Sequence, residues 1–414
     1  MVFYVYTTAT SSHPRKFIDC ETLLDIQPGS LSLFEFKLID KNKREYKLRA
    51  TNQQDFGAWV KAFQAALARR QRAANKTIKV WFMDISKVSI VIERGVTTAE
   101  DLWWLVCEAL NLSDESRDAF CIWIMGAELQ IQLCNEDVIT TVLEDWHTAY
   151  EEKYSAKLEG PPRLVFRTAP SLTLSQERNM REPKAVHLFY LQAAYNVLYH
   201  NYVVDLATAI VLAGLAAQIR LGDYDRSKHA PGYIVGQLRR YIPSYLTQKH
   251  KKKASDWDYL IQQEHASHQG KTLLICEMLY LQRCRTIPYY GSIFFPTKNR
   301  DKARESGYWS QQTEGVITLG LNMEGIHITR DLKPLHTYTW QNILHWEVEQ
   351  GKYFYFTGNA IKPGKGRVKK RTHTYLLETK AAPLIKEHLQ DIIYEIKRQE
   401  RIVSKIRKEQ ETPK

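Results

Sequence analysis

The stretch "QNILHWEVEQGKYFYFTGN", Gln341 to Asn359, reads as two strands joined at Gln350-Gly351. The second strand is aromatic from Tyr353 to Phe356, and rings of that size call for burial. The first strand alternates. Leu344, Trp346 and Val348 fall on one face, and His345, Glu347 and Glu349 on the other. Period-two patterning of this kind marks a strand with one face toward a core. Two readings are open. Trp346 fills that core, as most strand tryptophans do, or the strand is a sheet edge that receives another chain.

The flanks extend the sheet. "GSIFFPTK", "GVITLGLN", "GIHITR", "HTYTW" and "THTYLLET" all read as strands between residues 288 and 400. A helix follows from about Ala381, with Pro383 in its first turn and a stripe of Leu384, Ile385, Leu389, Ile392, Ile393 and Ile396. A sheet barrel closed by one C-terminal helix is a fold of the pleckstrin or phosphotyrosine-binding type. The tail, 401–414, mixes charges and is expected to be a fraying helix end.

Residues 185–287 turn helical. "AVHLFYLQAAYNVLYHNY", "DLATAIVLAGLAAQIRLGDYD" and "SDWDYLIQQEHASHQGKTLLICEMLYLQRCRTI" carry apolar residues at helical spacing, and "YIPSYL" breaks at Pro243. An antiparallel bundle is expected. Residues 77–168 give strand, turn, strand, then a helix capped at Thr97 or Thr98 with acidic first-turn residues, and "PRLVFRT" as a late strand. "PSLTLSQERNMREPK" is expected to be a polar linker, and 74–76 a short polar joint. Residues 1–73 hold strands and one helix, "NQQDFGAWVKAFQAALARR", capped by Asn52 with Phe56, Trp59, Phe63 and Ala66 on one face. The fold class is therefore α+β and multidomain.

The chain has 414 residues, room for two to four units at roughly 100–200 residues per domain. Hydrophobic residues are 44% and charged residues 25%, enough apolar content for most of the chain to find a core. A net charge of +12 favours anionic partners. The six cysteines form no C-x-x-C pair and sit largely in apolar runs, as buried thiols in a reducing compartment would. "MVFYVYTTATSSHPRK" lacks the pattern of a secretory signal. The apolar run Val203 to Ala217 contains Asp205 and is too short to span a bilayer. A cytoplasmic location is expected.

Enzyme motifs fail on inspection. "GNAIKPGKG" has five residues between Gly358 and Gly364, Lys365 is followed by Gly366, and a strand follows instead of a helix, so no phosphate cradle forms. Glu264, His265 and His268 lack the ligands and spacing of a zinc site. There is no G-x-S-x-G elbow and no nucleic-acid motif. No cofactor or metal is expected.

These segments, in order, carry a resemblance. "HLFYLQAAYNVL", "LAGLAAQIRLGDYD" (Leu212 to Asp225), "YIPSYL", "IPYYGSIFFPTK" (Ile287 to Lys298) and "LGLNMEGIHI" resemble successive signposts of a FERM domain across some 320 residues. The resemblance implies a ubiquitin-like β-grasp lobe at 77–168, an acyl-CoA-binding-protein-like helical lobe at 185–287 and a PH/PTB-like lobe at 288–400. Residues 1–73 resemble the closing half of a pleckstrin homology domain. Its opening hairpin, which usually carries phosphoinositide-binding Lys/Arg, is missing. Trp340, Asn342, Ile343 and Trp346 fall where a talin-like third lobe has matching residues, and Krev-interaction-trapped proteins also use this lobe to hold NPxY-type peptides. His345 and Glu347 depart from the talin pattern.

The resemblance implies an adaptor in cell adhesion or receptor function. It would join NPxY-type cytoplasmic tails and phosphoinositide membrane to the actin cytoskeleton at the inner plasma membrane. The peptide would add along Ile343, His345, Trp346, Glu347 and Glu349. Lys362, Lys365, Arg367, Lys369, Lys370 and Arg371, six cations with no acid among them, are the first candidate for lipid. Lys249, Lys251, Lys252 and Lys253 are either a second contact or a solvated connection. The alternative is a small-GTPase effector pairing through the ubiquitin-like lobe, where basic residues are sparse (Lys79, Lys87, Arg94).

Overall fold

The computed structural model describes residues 2–5, 16–19, 23–29, 33–40, 44–126, 129–154, 160–199, 201–299, 316–330, 333–361 and 370–411. In chain order come β1 (Val2–Val5), β2 (Lys16–Asp19), β3 (Leu23–Pro28), β4 (Glu35–Asp40), β5 (Glu45–Arg49) and α1 (Gln53–Ala74). Then follow β6 (Asn75–Trp81), β7 (Lys87–Glu93), α2 (Ala99–Leu110), α3 (Asp114–Arg117), β8 (Phe120–Met125), β9 (Gln130–Gln132), α4 (Ile139–Glu144), α5 (Ala149–Tyr154) and β10 (Arg163–Thr168). The middle is helical: α6 (Leu174–Asn179), α7 (Pro183–Leu198), α8 (Leu206–Leu221), α9 (Ser244–His250), α10 (Ala254–Ser267) and α11 (Leu273–Cys284). Last are β11 (Ile293–Asn299), β12 (Val316–Asn322), β13 (Gly325–Arg330), β14 (Lys333–Thr339), β15 (Ile343–Glu349), β16 (Tyr353–Ile361), β17 (Lys370–Glu378) and α12 (Ala382–Glu411).

The sheets are ordered β1-β2, β3-β4-β5, β7-β6-β10-β8-β9 and β14-β13-β12-β11-β17-β16-β15. Helix and sheet together give the α+β class expected from the sequence. The chain forms two compact units. One is Met1–Val80, Val88–Val106 and Leu133–Asp145; the other is Trp81–Lys87, Cys107–Gln132 and Trp146–Lys414.

In the first unit, β4 turns Phe36 and Leu38 inward against Leu23 and Phe63. The apolar face of α1 differs from the expected one. Phe56 and Val60 pack beside Phe63, while Trp59 is 37% exposed and touches Phe36 edge-on at 6.3 Å. Residues 56, 60 and 63 lie on one line at 3.6 residues per turn, and 59 falls at its margin. The side chain of Ala66 lies outside the described residues. Asn52 caps α1 as expected, its Oδ1 accepting from the Asp55 N–H at 2.8 Å. Helix α1 ends at Ala74 and β6 starts at Asn75, so no separate joint exists at 74–76. Thr98 caps α2: its Oγ1 accepts from the Asp101 N–H, and the Asp101 carboxylate accepts from the Thr98 N–H.

In the second unit, Phe120 of β8, Phe166 of β10 and Phe189 of α7 stack at 5.3 and 5.0 Å, tying sheet to bundle. Helix α8 is apolar nearly all round because α10 and α11 both pack on it. Close approach is possible because Gly214 faces α10; a Cβ there would stand 2.4 Å from the Cγ of Glu264. The expected polar linker instead contains α6. Thr173 caps it with a full capping box, and Glu177 is buried. The final sheet curls over a core of Ile317, Leu319, Leu321, Ile326, Ile328, Phe354, Phe356 and Leu377, and α12 adds Leu384, Ile385, Leu389 and Ile392. Ile393 and Ile396 are half-buried. Helix α12 continues to Glu411, through most of the stretch expected to fray.

Candidate functional site

β15 is an end strand of the seven-stranded sheet, bonded to β16. It begins after a single turn of 3-10 helix, Trp340–Asn342, where the Trp340 indole N–H donates to the Met323 carbonyl at 3.0 Å. It ends at a tight turn. Gln350 and Gly351 both have positive φ, 52° and 62°, and the Lys352 N–H donates to the Glu349 carbonyl. Such turns match the strand twist, and glycine takes one of the two positions without steric cost. Helix α12 starts beside this turn, Pro383 lying against Gly351, and packs along β15 and β16.

Register decides the faces of β15. Trp346 lies opposite Phe356 and Val348 opposite Phe354, and both phenylalanines are fully buried. Opposite residues of an antiparallel pair share a face, so Trp346 and Val348 sit half-buried on the core side. Leu344 does not share that face. The register shifts between Ile343 and His345, and the bulge leaves Leu344 unpaired and 59% exposed. The aromatic half of the hairpin is not uniformly buried, for Tyr353 and Tyr355 are only half-covered. His345, Glu347 and Glu349 are exposed. The His345 ring stands 5.9 Å from the Tyr355 ring and its Nε2 3.7 Å from Glu347.

The expected lipid loop falls mostly outside the described residues, among them Lys362, Lys365, Arg367 and Lys369. Ile361 and Lys370 are partnered across β16 and β17, so the segment joins two paired strands. Lys370 and Arg371 belong to β17; their side chains lie outside the described residues. Lys249, Lys251, Lys252 and Lys253 are exposed where α9 ends and α10 begins. Lys251 takes the left-handed conformation that stops α9.

Of the sparse basic residues in the first lobe, Arg94 pairs with Glu144 at 2.8 Å, and Lys87 lies over the Trp81 ring at 4.9 Å. His265 is buried between the Tyr233 hydroxyl and the Gly222 carbonyl, and His268 stands 3.3 Å from Glu264. Among the described residues no cluster could hold a metal ion. Cys107, Cys276 and Cys284 are buried thiols, and Cys134 is exposed. Burial pushes Cys107 and Cys121 up to about 12, where they are inert as nucleophiles. Among the described residues no helix is long and apolar enough to cross a membrane.

The buried carboxylate at Glu177 has no local signature. It accepts from Arg285 at 2.8 Å and from the Tyr290 hydroxyl at 2.6 Å, pinning α6 to the end of α11 and the start of the barrel. A glutamate in a run of polar residues looks solvated until its partners, over a hundred positions away, are placed.

The FERM central domain family matches residues 175–295. FERM domain-containing protein B of Dictyostelium discoideum is 22% identical, across 86% of this chain and 94% of its own length. FERM domain-containing protein 8 of Xenopus laevis is 26% identical, across 58% of this chain and 58% of its own. The chain thus spans nearly all of the amoebal relative and under two thirds of the frog one. Among solved structures, the MyTH4-FERM domain of human myosin 7b, in complex with the harmonin-a PDZ3 domain, superposes with a TM-score of 0.59 at 19% identity, over 81% of this chain and 62% of that one. The FERM and C-terminal domain complex of Drosophila Merlin superposes at 0.53 and 18%, over 78% and 97%. These likenesses agree: residues 175–295 match a FERM central domain, and the chain has the fold of FERM-domain proteins.

Proposed function

We propose that the chain is a non-enzymatic adaptor. It captures an extended cytoplasmic tail of a membrane protein along β15 and links it to the cytoskeleton at the membrane's inner face. The observation that carries this reading is the open edge of β15 beside α12. An end strand offers a row of N–H and C=O groups to which a guest strand adds, and side-chain pockets set its sequence. The exposed Leu344 offers such a guest an apolar contact, and His345, Glu347 and Glu349 offer polar selection. A tail of the NPxY type suits the resemblance of the third lobe. The cluster Lys362 to Arg371 would add a weak, salt-sensitive attraction to anionic phospholipid, and the two contacts together gain avidity. The myosin 7b neighbour, solved with a PDZ domain, is in keeping with a fold that docks other proteins.

The test is a titration of the isotope-labelled chain with an NPxY peptide. Amide shifts should concentrate at Ile343 to Glu349; shifts elsewhere with none on β15 would sink the reading. For lipid, charge reversal of Lys369, Lys370 and Arg371 should lower sedimentation with anionic liposomes, and unchanged sedimentation would remove that site. A second reading, a small GTPase docked on the first lobe, draws on one observation: β7 is also an end strand and carries Val91 at 59% exposure. Shifts on β7 with a loaded GTPase, absent with the peptide, would favour it.

A further inference from the structure

The helical lobe carries a cavity of about 820 Å³ that the proposed function does not use. Its size is that of a ligand site, roughly 300–1,000 Å³. A second hollow of about 580 Å³ shares Arg239, Arg240, Ile242 and Ser244 with it. The two form one trough along the 3-10 segment Val235–Arg240 and the start of α9.

The wall is cationic. Arg220, Arg239 and Arg240 line the cavity, against one carboxylate in the lining, Asp84. None of the three arginines is ion-paired among the described residues. Arg220 lies over the Tyr241 ring at 5.6 Å, and Arg240 donates to the amide oxygen of Gln237. His187 adds no net charge, because Glu277 holds it at 2.5 Å. Beyond the second hollow, α9 leads directly from Gln248 into the exposed Lys249, Lys251, Lys252 and Lys253.

One further feature points to a ligand. Tyr190 closes the back of the cavity at 2% exposure, its hydroxyl beside Arg220. The rim is apolar. Ile85, Tyr199 and Leu273 are 68%, 62% and 51% exposed. Ile85 is held at φ 67° by a tight turn on Phe82, a conformation that a β-branched residue adopts only under constraint.

We propose that this trough docks an acidic peptide segment bearing a large apolar side chain. Its carboxylates pair with Arg239, Arg240 and Arg220, guanidinium forks being suited to bidentate pairing. Its apolar residue rests on Ile85, Tyr199 and Leu273. A recessed trough that runs on through a second hollow fits an extended chain better than a flat bilayer.

The test uses the full chain and a fluorescein-labelled, glutamate-rich peptide with a central phenylalanine, read by anisotropy. The same peptide with Gln for every Glu is the control, and phosphatidylserine vesicles are the rival ligand. The glutamate peptide should bind with salt sensitivity and the glutamine twin at least about tenfold more weakly. The double variant R239E/R240E should lose about tenfold or more and keep the parent melting temperature. L344D, on β15, should leave this affinity unchanged. The proposal falls if the twin binds equally, if R239E/R240E binds as tightly as the parent, or if only the vesicles bind. Loss of peptide binding in L344D would also overturn it, because the peptide would then be using the β15 edge.

Discussion

Glu177 on α6 and Arg285 at the end of α11 pair at 2.8 Å, with side chains 7% and 11% exposed. The pair fixes a segment whose composition is that of a linker. Breaking a buried pair strands one charge in a poor solvent, which costs about 3–5 kcal/mol. Glu177→Leu should therefore lower the unfolding free energy by about that amount. Joining it with Arg285→Met should restore part of the loss. Denaturant titration of the three chains checks this, and a double variant no better than the single would refute the account.

Gly214 is set by the approach of α10. Gly214→Leu should be destabilising by several kcal/mol, since overpacking alone costs about 1–3 kcal/mol and here the clash includes α10 backbone. Gly222→Ala also places a residue at positive φ, 75°, but meets no neighbouring atom. With ψ at −159° the backbone is in a region kept for glycine, so it should cost about 1–3 kcal/mol through strain alone, less than the clash at Gly214. Thermal unfolding separates the two, and equal losses would mean that α8 and α10 are not held close.

Acid should loosen the barrel through two buried histidines. Burial lowers His327 and His388 from 6.5 to about 4. The unfolded chain then takes up protons that the folded chain refuses. Their contribution is complete above 6.5 and is lost as pH falls toward about 4. His187 has the opposite sign. Its hydrogen bond to Glu277 raises its value, so its contribution is complete below its ordinary value and is lost as pH rises through the raised one. His388→Leu should flatten the acid limb of a stability profile and His187→Gln the limb above it. Unchanged limbs would rule out these assignments.

The β15 reading separates two neighbours on one strand. Leu344→Asp touches a bulged, exposed residue and should change stability by no more than about 0.5 kcal/mol. It should nevertheless weaken tail binding. Trp346→Ala removes a half-buried ring on the face of its strand partner Phe356 and should lower stability by about 2 kcal/mol or more. Equal destabilisation by both would place Leu344 in the core after all.

Much of this was legible in the chain. Period-two runs located the strands, the 3.6-residue stripe located α12, and Asn52 and the pair Thr97-Thr98 marked helix starts, because these signals lie within a few residues of the structure they create. The hairpin at Gln350-Gly351 was equally local. The face of Leu344 was not. Alternation assigns it to the side of Trp346, and only pairing with β16 reveals the bulge that turns it out.

Sequence by itself therefore determined the order and type of most elements and the hairpin at Gln350-Gly351, since each follows from local periodicity, capping and turn residues. Tertiary structure decided the burial of Glu177, the need for glycine at Gly214, the inward half-burial of Trp346, the end position of β15 and the gathering of Arg220, Arg239 and Arg240 in the wall of one cavity. Each of these depends on groups brought together from distant parts of the chain, and neither composition nor period carries the distance between them.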